Sequence, residues 1–144
     1  MICVRRAEAG DQRAVFEMAK LLATSYDIDE VAFGVTFASL LAEANAHILV
    51  AELNGNAVGY LLGYDHRCFY ANGPVGWVEE LYVSESARRL GIGNQLMLAF
   101  ENTQRERGSC LVSLATRRAK AFYEAIGYED SATYFKKRIG PTEA

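Results

Sequence analysis

The sequence predicts an α/β domain built on one sheet of mixed direction, covered by helices on both faces, and three observations point there. Apolar residues recur at strand and helix periods in the order β-α-α-β-β-β-α-β-α-β, which amounts to about six strands and about four helices. Asn54-Gly55-Asn56 is a tight hairpin signal joining two of the strands, because Asn and Gly tolerate positive φ. The run from Cys110 to Leu114 reads as a strand buried on both faces.

Each element follows from its residues. Residues 2–6 alternate as a short first strand, and Gly10-Asp11 offers a turn and a helix cap before a helix carrying Val15, Met18, Ala19 and Leu22 on one face. A second helix begins after Asp29, with Phe33, Phe37, Leu40, Leu41 and Ala44 forming one apolar face. His47 to Leu53 and Ala57 to about Asp65 are the hairpin strands, and His66 to Pro74 reads as a loop. Val75 to Val83 is the next strand. Ser84 to Gly93 then leads into a helix with Leu96, Ala99, Phe100 and Thr103 on one face, stopped by Gly108. After the Cys110 strand, Ala119, Phe122, Tyr123 and Ile126 mark a helix that Gly127 ends, and Tyr128 to Ile139 reads as a final strand. Residues 1–140 therefore form one domain, with 141–144 as a loose tail. No internal repeat or linker interrupts the 144 residues.

Composition narrows the function classes. Apolar residues make up 51% and charged residues 23%, ordinary for a globular chain. The net charge of −3 is opposite to the basic footprint of a protein that holds nucleic acid or anionic membrane, so neither partner is expected. Cys3, Cys68 and Cys110 are odd in number and widely spaced, without zinc-ligand spacing, so no metal is expected. The N-terminus has no signal-like apolar stretch and no run is long enough to span a bilayer, which makes the cytoplasm the expected location.

The stretch Arg88-Arg89-Leu90-Gly91-Ile92-Gly93-Asn94 lies between a strand and a helix. Its glycines let the backbone curl so that several N–H groups meet one anion at the positive end of the helix, and Arg88 and Arg89 add charge. It lacks both the Lys-Ser/Thr ending of a P-loop and the third glycine of a dinucleotide fingerprint. Taken alone, a Gly-x-Gly before a helix is a weak signal.

Its context is more specific. Glu79-Glu80-Leu81-Tyr82-Val83 followed by Arg88-x-x-Gly91-x-Gly93, and then Ala119-Lys120-Ala121-Phe122-Tyr123-Glu124-Ala125-Ile126-Gly127-Tyr128, resembles the two conserved blocks of the GNAT superfamily of N-acetyltransferases. The element order agrees over essentially the whole chain. The resemblance implies a mostly antiparallel sheet and acetyl-CoA as co-substrate. It implies that Leu81, Tyr82 and Val83 pair with the pantetheine arm, and that Arg88, Arg89, Gly91, Ile92, Gly93 and Asn94 hold the pyrophosphate. It makes Tyr123 the general acid, and it allows a homodimer. Many relatives carry Asn seven residues before that tyrosine; this chain has Thr116, which is shorter, as the candidate cofactor contact.

In such a reaction the amine attacks the thioester directly, so no enzyme nucleophile is needed. A free amine has a pKa near ~10, and a strand carboxylate can take its proton. Glu79 and Glu80 are the candidates. Regular alternation puts Val78, Glu80 and Tyr82 on one face and Glu79, Leu81 and Val83 on the other, with a narrow preference for Glu79 as base. The N–H of Val83 is a candidate oxyanion donor.

Other residues carry weaker expectations. Cys110 reads as a core residue, Cys68 lacks a partnering base, and neither His66 nor His47 is favoured for catalysis. Arg117-Arg118 and Lys136-Lys137-Arg138 read as solvated faces, or as partners of the cofactor 3′-phosphate. The resemblance implies that Phe69-Tyr70 and the Tyr26 to Phe33 segment line an acceptor groove for a small-molecule or peptide amine. A non-catalytic acyl-CoA-binding domain is disfavoured by the presence of Glu79, Glu80 and Tyr123 together. A toxin acetylating aminoacyl-tRNA is disfavoured by the acidic net charge.

Overall fold

The computed structural model describes residues 1–141, so most of the tail expected at 141–144 lies outside the described residues. Strands β1 (Ile2–Arg6), β2 (Ala46–Leu53), β3 (Asn56–Cys68), β4 (Gly73–Val83) and β5 (Val112–Leu114) form one sheet in the order β1-β2-β3-β4-β5. Neighbours are antiparallel except β4 and β5, which run parallel. Helices α1 (Gln12–Leu22) and α2 (Glu30–Ala42) cover one face; α3 (Ile92–Glu106) and α4 (Lys120–Ala125) cover the other.

The helices form where the sequence signals them, but the cap expected at Asp11 is not made: its carboxylate accepts from the Glu8 amide at 2.7 Å instead of from an amide of α1. Asp29 accepts a 2.8 Å hydrogen bond from the Ala32 amide and so caps α2. Helix α3 buries Ile92, Leu96, Met97 and Phe100 at helical spacing against Leu49, Leu61 and Val78 of the sheet. On the opposite face, Val15, Met18 and Ala19 of α1 and Phe37 of α2 pack on Ile48, Val50, Tyr60 and Tyr82. None of the described helices is long and apolar enough to cross a membrane.

Three expectations change in detail. The loop expected from His66 to Pro74 shrinks to a hairpin, because β3 continues to Cys68 and β4 begins at Gly73, with Cys68 opposite Gly73. The strand expected to be buried on both faces is β5, only three residues long and half-buried at the sheet edge, and Cys110 before it is exposed rather than in the core. The final strand expected at Tyr128 to Ile139 does not form, so the sheet has five strands. Short β5 offers little ladder to extend. Within the segment, adjacent Tyr134-Phe135 and the three cations Lys136 to Arg138 break the alternation a half-buried strand needs. Phe135 and Ile139 are 87% and 93% exposed.

Candidate active site

The site is arranged by an irregularity in β4. Glu80 pairs with Leu62 and Val78 with Gly63, so Glu79 is an extra residue on the β4 side of the ladder. Such a bulge lets the residues on either side of it face opposite ways. Val78 accordingly packs under α3, while Glu80 turns toward the α1–α2 face with Tyr60 and Tyr82. The expectation that Val78, Glu80 and Tyr82 share a face is thus corrected at Val78. Glu79 is exposed and accepts a 3.1 Å hydrogen bond from the Trp77 indole.

Glu80 is half-buried and lines a cavity of about 230 Å³ between α1, α2 and the sheet. The Tyr60 hydroxyl donates to its Oε1 at 2.6 Å. Tyr60 itself is 1% exposed. Burial first, then the Glu80 charge and hydrogen bond, hold the Tyr60 proton far above the usual phenol range. Tyr60 therefore stays a donor at any physiological pH.

The outer edge of β4 is open. Its pairing with β5 covers only Gly76 to Val78, and among the described residues no strand covers Glu79 to Val83 on that side. The open backbone thus includes Leu81, Tyr82 and Val83. At its end, Arg88 Nε donates to the Val83 carbonyl at 2.9 Å, and the guanidinium lies 5.8 Å from the Tyr82 ring centroid.

Beyond Val83 the chain curls. Ala87 is buried and anchors the turn, while Arg88, Arg89 and Leu90 are exposed. Arg89 and Gly91 both adopt left-handed backbone, with φ of 68° and 81°. For a non-glycine residue this conformation is uncommon, and it clusters at functional turns. Gly91 caps α3 and accepts from the Gln95 amide at 3.0 Å. The amides of Ile92, Gly93 and Asn94 therefore begin the helix without a carbonyl one turn behind them, at its positive end. At Gly93 a Cβ would sit 3.2 Å from the Phe122 ring, so its absence lets α4 close against the start of α3.

Tyr123 projects from α4 into the α3-side core. Its ring meets Phe122 at 4.9 Å and Tyr128 at 5.9 Å, both edge-on, and burial raises its pKa above the ordinary phenol value. Glu80 and Tyr123 thus lie on opposite faces of the sheet. Thr116 is exposed, and its hydroxyl accepts a 3.0 Å hydrogen bond from the Ala119 amide at the start of α4. That contact is a structural use for the hydroxyl.

The remaining candidates separate. Ile28 and Phe33 of the Tyr26 to Phe33 segment line the cavity, whereas Phe69 and Tyr70 sit exposed on the β3–β4 hairpin, at the other end of β4 from the turn. His66 is exposed near that hairpin, and His47 is buried on Asp65 at 2.6 Å, away from the cavity. Arg118 and Arg138 reach the α1–α2 loop at Thr24 and Tyr26 rather than pointing only to solvent. Sequence reasoning missed Tyr60. Its strand position was legible, but its partnership with Glu80 depends on hairpin register plus the bulge.

Comparisons with known proteins agree with this fold. Residues 44–130, more than half of the chain, match the family model described as an acetyltransferase (GNAT) domain. The aminoalkylphosphonate N-acetyltransferase of Salmonella typhimurium is 32% identical over 141 residues, covering 94% of this chain and 90% of that protein. Among solved structures, glucosamine-6-phosphate N-acetyltransferase from Arabidopsis thaliana superimposes with a TM-score of 0.85 at 20% identity, covering 97% of this chain and 99% of that one. Aminoglycoside N-acetyltransferase AAC(6′)-Iy in complex with CoA gives 0.83 at 19% identity, covering 96% of each. With the family match spanning the open strand, the turn and α4, the chain belongs to the GNAT family of acetyltransferases.

Proposed function

We propose that this chain moves the acetyl group of acetyl-CoA to a primary amine, with Glu80 as the proton acceptor and Tyr123 as the proton donor. The observation that supports it most is the open edge of β4. It runs from Glu80 in the cavity to the free amides at Ile92–Asn94, and so connects an amine site to an anion site.

The co-substrate fits the residues present. The open β4 edge at Leu81, Tyr82 and Val83, where Arg88 already holds the Val83 carbonyl, can take the pantetheine amides through its remaining groups as a neighbouring strand would. The helix-start amides, with Arg88 and Arg89 beside them, suit a pyrophosphate. Thr116 is the cofactor contact with least support, since its hydroxyl is already engaged at α4.

The chemistry then balances on this chain's groups. An alkylammonium entering the cavity meets Glu80, which draws it in and accepts a proton, directly or through one water. The neutral nitrogen attacks the thioester carbon, and the N–H of Val83 is the candidate donor to the developing oxyanion. Glu80, having passed the first proton to solvent, accepts the second proton that the nitrogen loses as the amide forms. As the C–S bond breaks, Tyr123 protonates the leaving thiolate and regains its proton from solvent. Glu80 replaces Glu79 as the favoured base, because the bulge puts Glu79 in solvent and Glu80 in the cavity. That the Salmonella relative is named for aminoalkylphosphonates supports a small amine as acceptor.

The test is thiol release from acetyl-CoA in the presence of an amine panel. Amine-dependent release, mass-matched to an acetylated product and lost in E80Q, is the expected result. Release that E80Q leaves unchanged would remove Glu80 from the mechanism.

A further inference from the structure

We infer that the acceptor is a lipophilic primary monoamine, an n-alkyl or arylalkyl amine without a second charged group; the inference rests on the acetyltransferase reading above. The cavity that holds Glu80 is walled by aliphatic and aromatic side chains from α1, the α1–α2 loop, α2 and the sheet, including Leu22, Ile28, Phe33 and Leu40. Among the described residues that line it, Glu80 is the only charged one, and its polar company is the Tyr60 and Thr36 hydroxyls. Tyr60 is spent on Glu80 Oε1, which leaves the carboxylate's second oxygen to meet one ammonium.

Charge decides against the polar alternatives. A phosphonate or carboxylate on the acceptor would enter a cavity with no Lys or Arg on its wall and a carboxylate already inside. An unpaired buried anion there is strongly unfavourable. A second ammonium would face Leu, Ile and Phe without a partner. Arg118 and Arg138, which reach the α1–α2 loop, are directed at the Thr24 and Tyr26 hydroxyls, and neither lines the cavity.

Size sets the other limit. A volume of about 230 Å³ falls below the roughly 300 Å³ at which pockets for drug-sized ligands begin. It encloses a short chain or a single ring, so most of a whole aminosugar scaffold would have to stay outside it. The ligand's affinity must then come from burying CH₂ or ring surface behind the amine, so this site differs in acceptor chemistry from what the Salmonella relative's name describes.

A homologous series tests this directly. With the intact chain and saturating acetyl-CoA, kcat/KM is measured for n-alkylamines from ethylamine to hexylamine, for 2-aminoethylphosphonate and for 1,4-diaminobutane. Each methylene buried should raise kcat/KM by about fourfold until the cavity is full. Hexylamine should exceed both doubly charged probes by at least about tenfold. I28K, which puts a cation on the wall from a loop position, should flatten the alkyl series and improve the phosphonate. A flat wild-type series, or faster turnover of the phosphonate or the diamine, overturns the lipophilic assignment and leaves the acetyltransferase reading standing. Absence of thiol release with every amine, in a protein that still binds CoA, overturns both.

Discussion

The Tyr60 hydroxyl donates a 2.6 Å hydrogen bond to Glu80 from a ring that is itself buried under α1, 6.4 Å from the Tyr82 ring. This contact joins two strands across the hairpin and fixes one carboxylate oxygen. The other oxygen is left for an incoming ammonium. A residue deep in the core thereby orients the group that meets the substrate, with its proton held in place by burial and by Glu80 itself.

Removing either partner should separate orientation from proton transfer. E80Q is expected to lower kcat/KM by about 10²- to 10⁴-fold, the usual range for a positioned base. Y60F leaves the base but loses a charge-assisted hydrogen bond of about 1.5–3 kcal/mol, so about 10- to 100-fold is expected. E79Q should stay within about threefold. Steady-state thiol release for the three variants, with circular dichroism to confirm folding, checks the order; E79Q falling furthest would reverse the assignment.

Much of this was legible in the residues, and the failures share a cause. The element order, the start of α2 after Asp29 and the turn at Gly91 are local signals, carried by residues close in sequence. The cofactor turn was readable because two glycines, the preceding strand and the following helix all lie within one short stretch. The bulge at Glu79 is different: two adjacent glutamates look equivalent until the register against Leu62 and Gly63 is known. The same holds for Tyr60, and for Tyr128 to Ile139, whose strand-like look depended on a neighbour that β5 is too short to provide.

Tyr123 offers a cleaner separation of binding from chemistry. Y123F keeps the ring that packs against Phe122 and Tyr128, so melting temperature and acetyl-CoA KM should change little. Turnover should fall by about 10²-fold if the phenol is the acid. Burial raises the Tyr123 pKa, which favours the protonated phenol. Any alkaline loss of activity due to this residue must therefore begin above the ordinary phenol value of about 10. A pH–rate profile flat to pH 9 is expected, and a limb below that which Y123F abolishes would contradict the assignment.

Gly91 is the backbone test of the cofactor turn. Its φ of 81° lies where an added Cβ costs about 1–2 kcal/mol, although nothing within 4 Å would clash with it. G91A should therefore act through conformation alone. The strain is relieved by displacing the start of α3, which spoils the aim of the Ile92 to Asn94 amides. CoA affinity measured by calorimetry should weaken by at least about fivefold. Unchanged affinity would mean that the amides do not hold the phosphates.

Asp65 gives a stability prediction independent of the site. It is 6% exposed and accepts from Arg107 at 2.7 and 3.0 Å and from Gln104 at 3.1 Å, with the His47 ring nitrogen at 2.6 Å. Ser109 donates to Gln104 at 2.6 Å, so the amide is held as well. Burial is the largest single influence and raises the Asp65 pKa, but Arg107, His47 and Gln104 together outweigh it and leave the value lowered. A depressed carboxylate contributes stability that is full above its unfolded pKa of about 3.9 and is lost as pH falls through the lower folded value. Breaking a buried ion pair costs about 3–5 kcal/mol, and because the Arg107 side chain is 36% exposed the lower end applies. D65N should therefore lose about 3 kcal/mol at pH 7 in urea unfolding. The gap to wild type should hold down to about pH 4 and narrow below it, as protonation gives the wild type the same neutral group. A gap that stays constant from pH 7 to pH 3 would show that packing, rather than the charge on Asp65, is what the substitution removes.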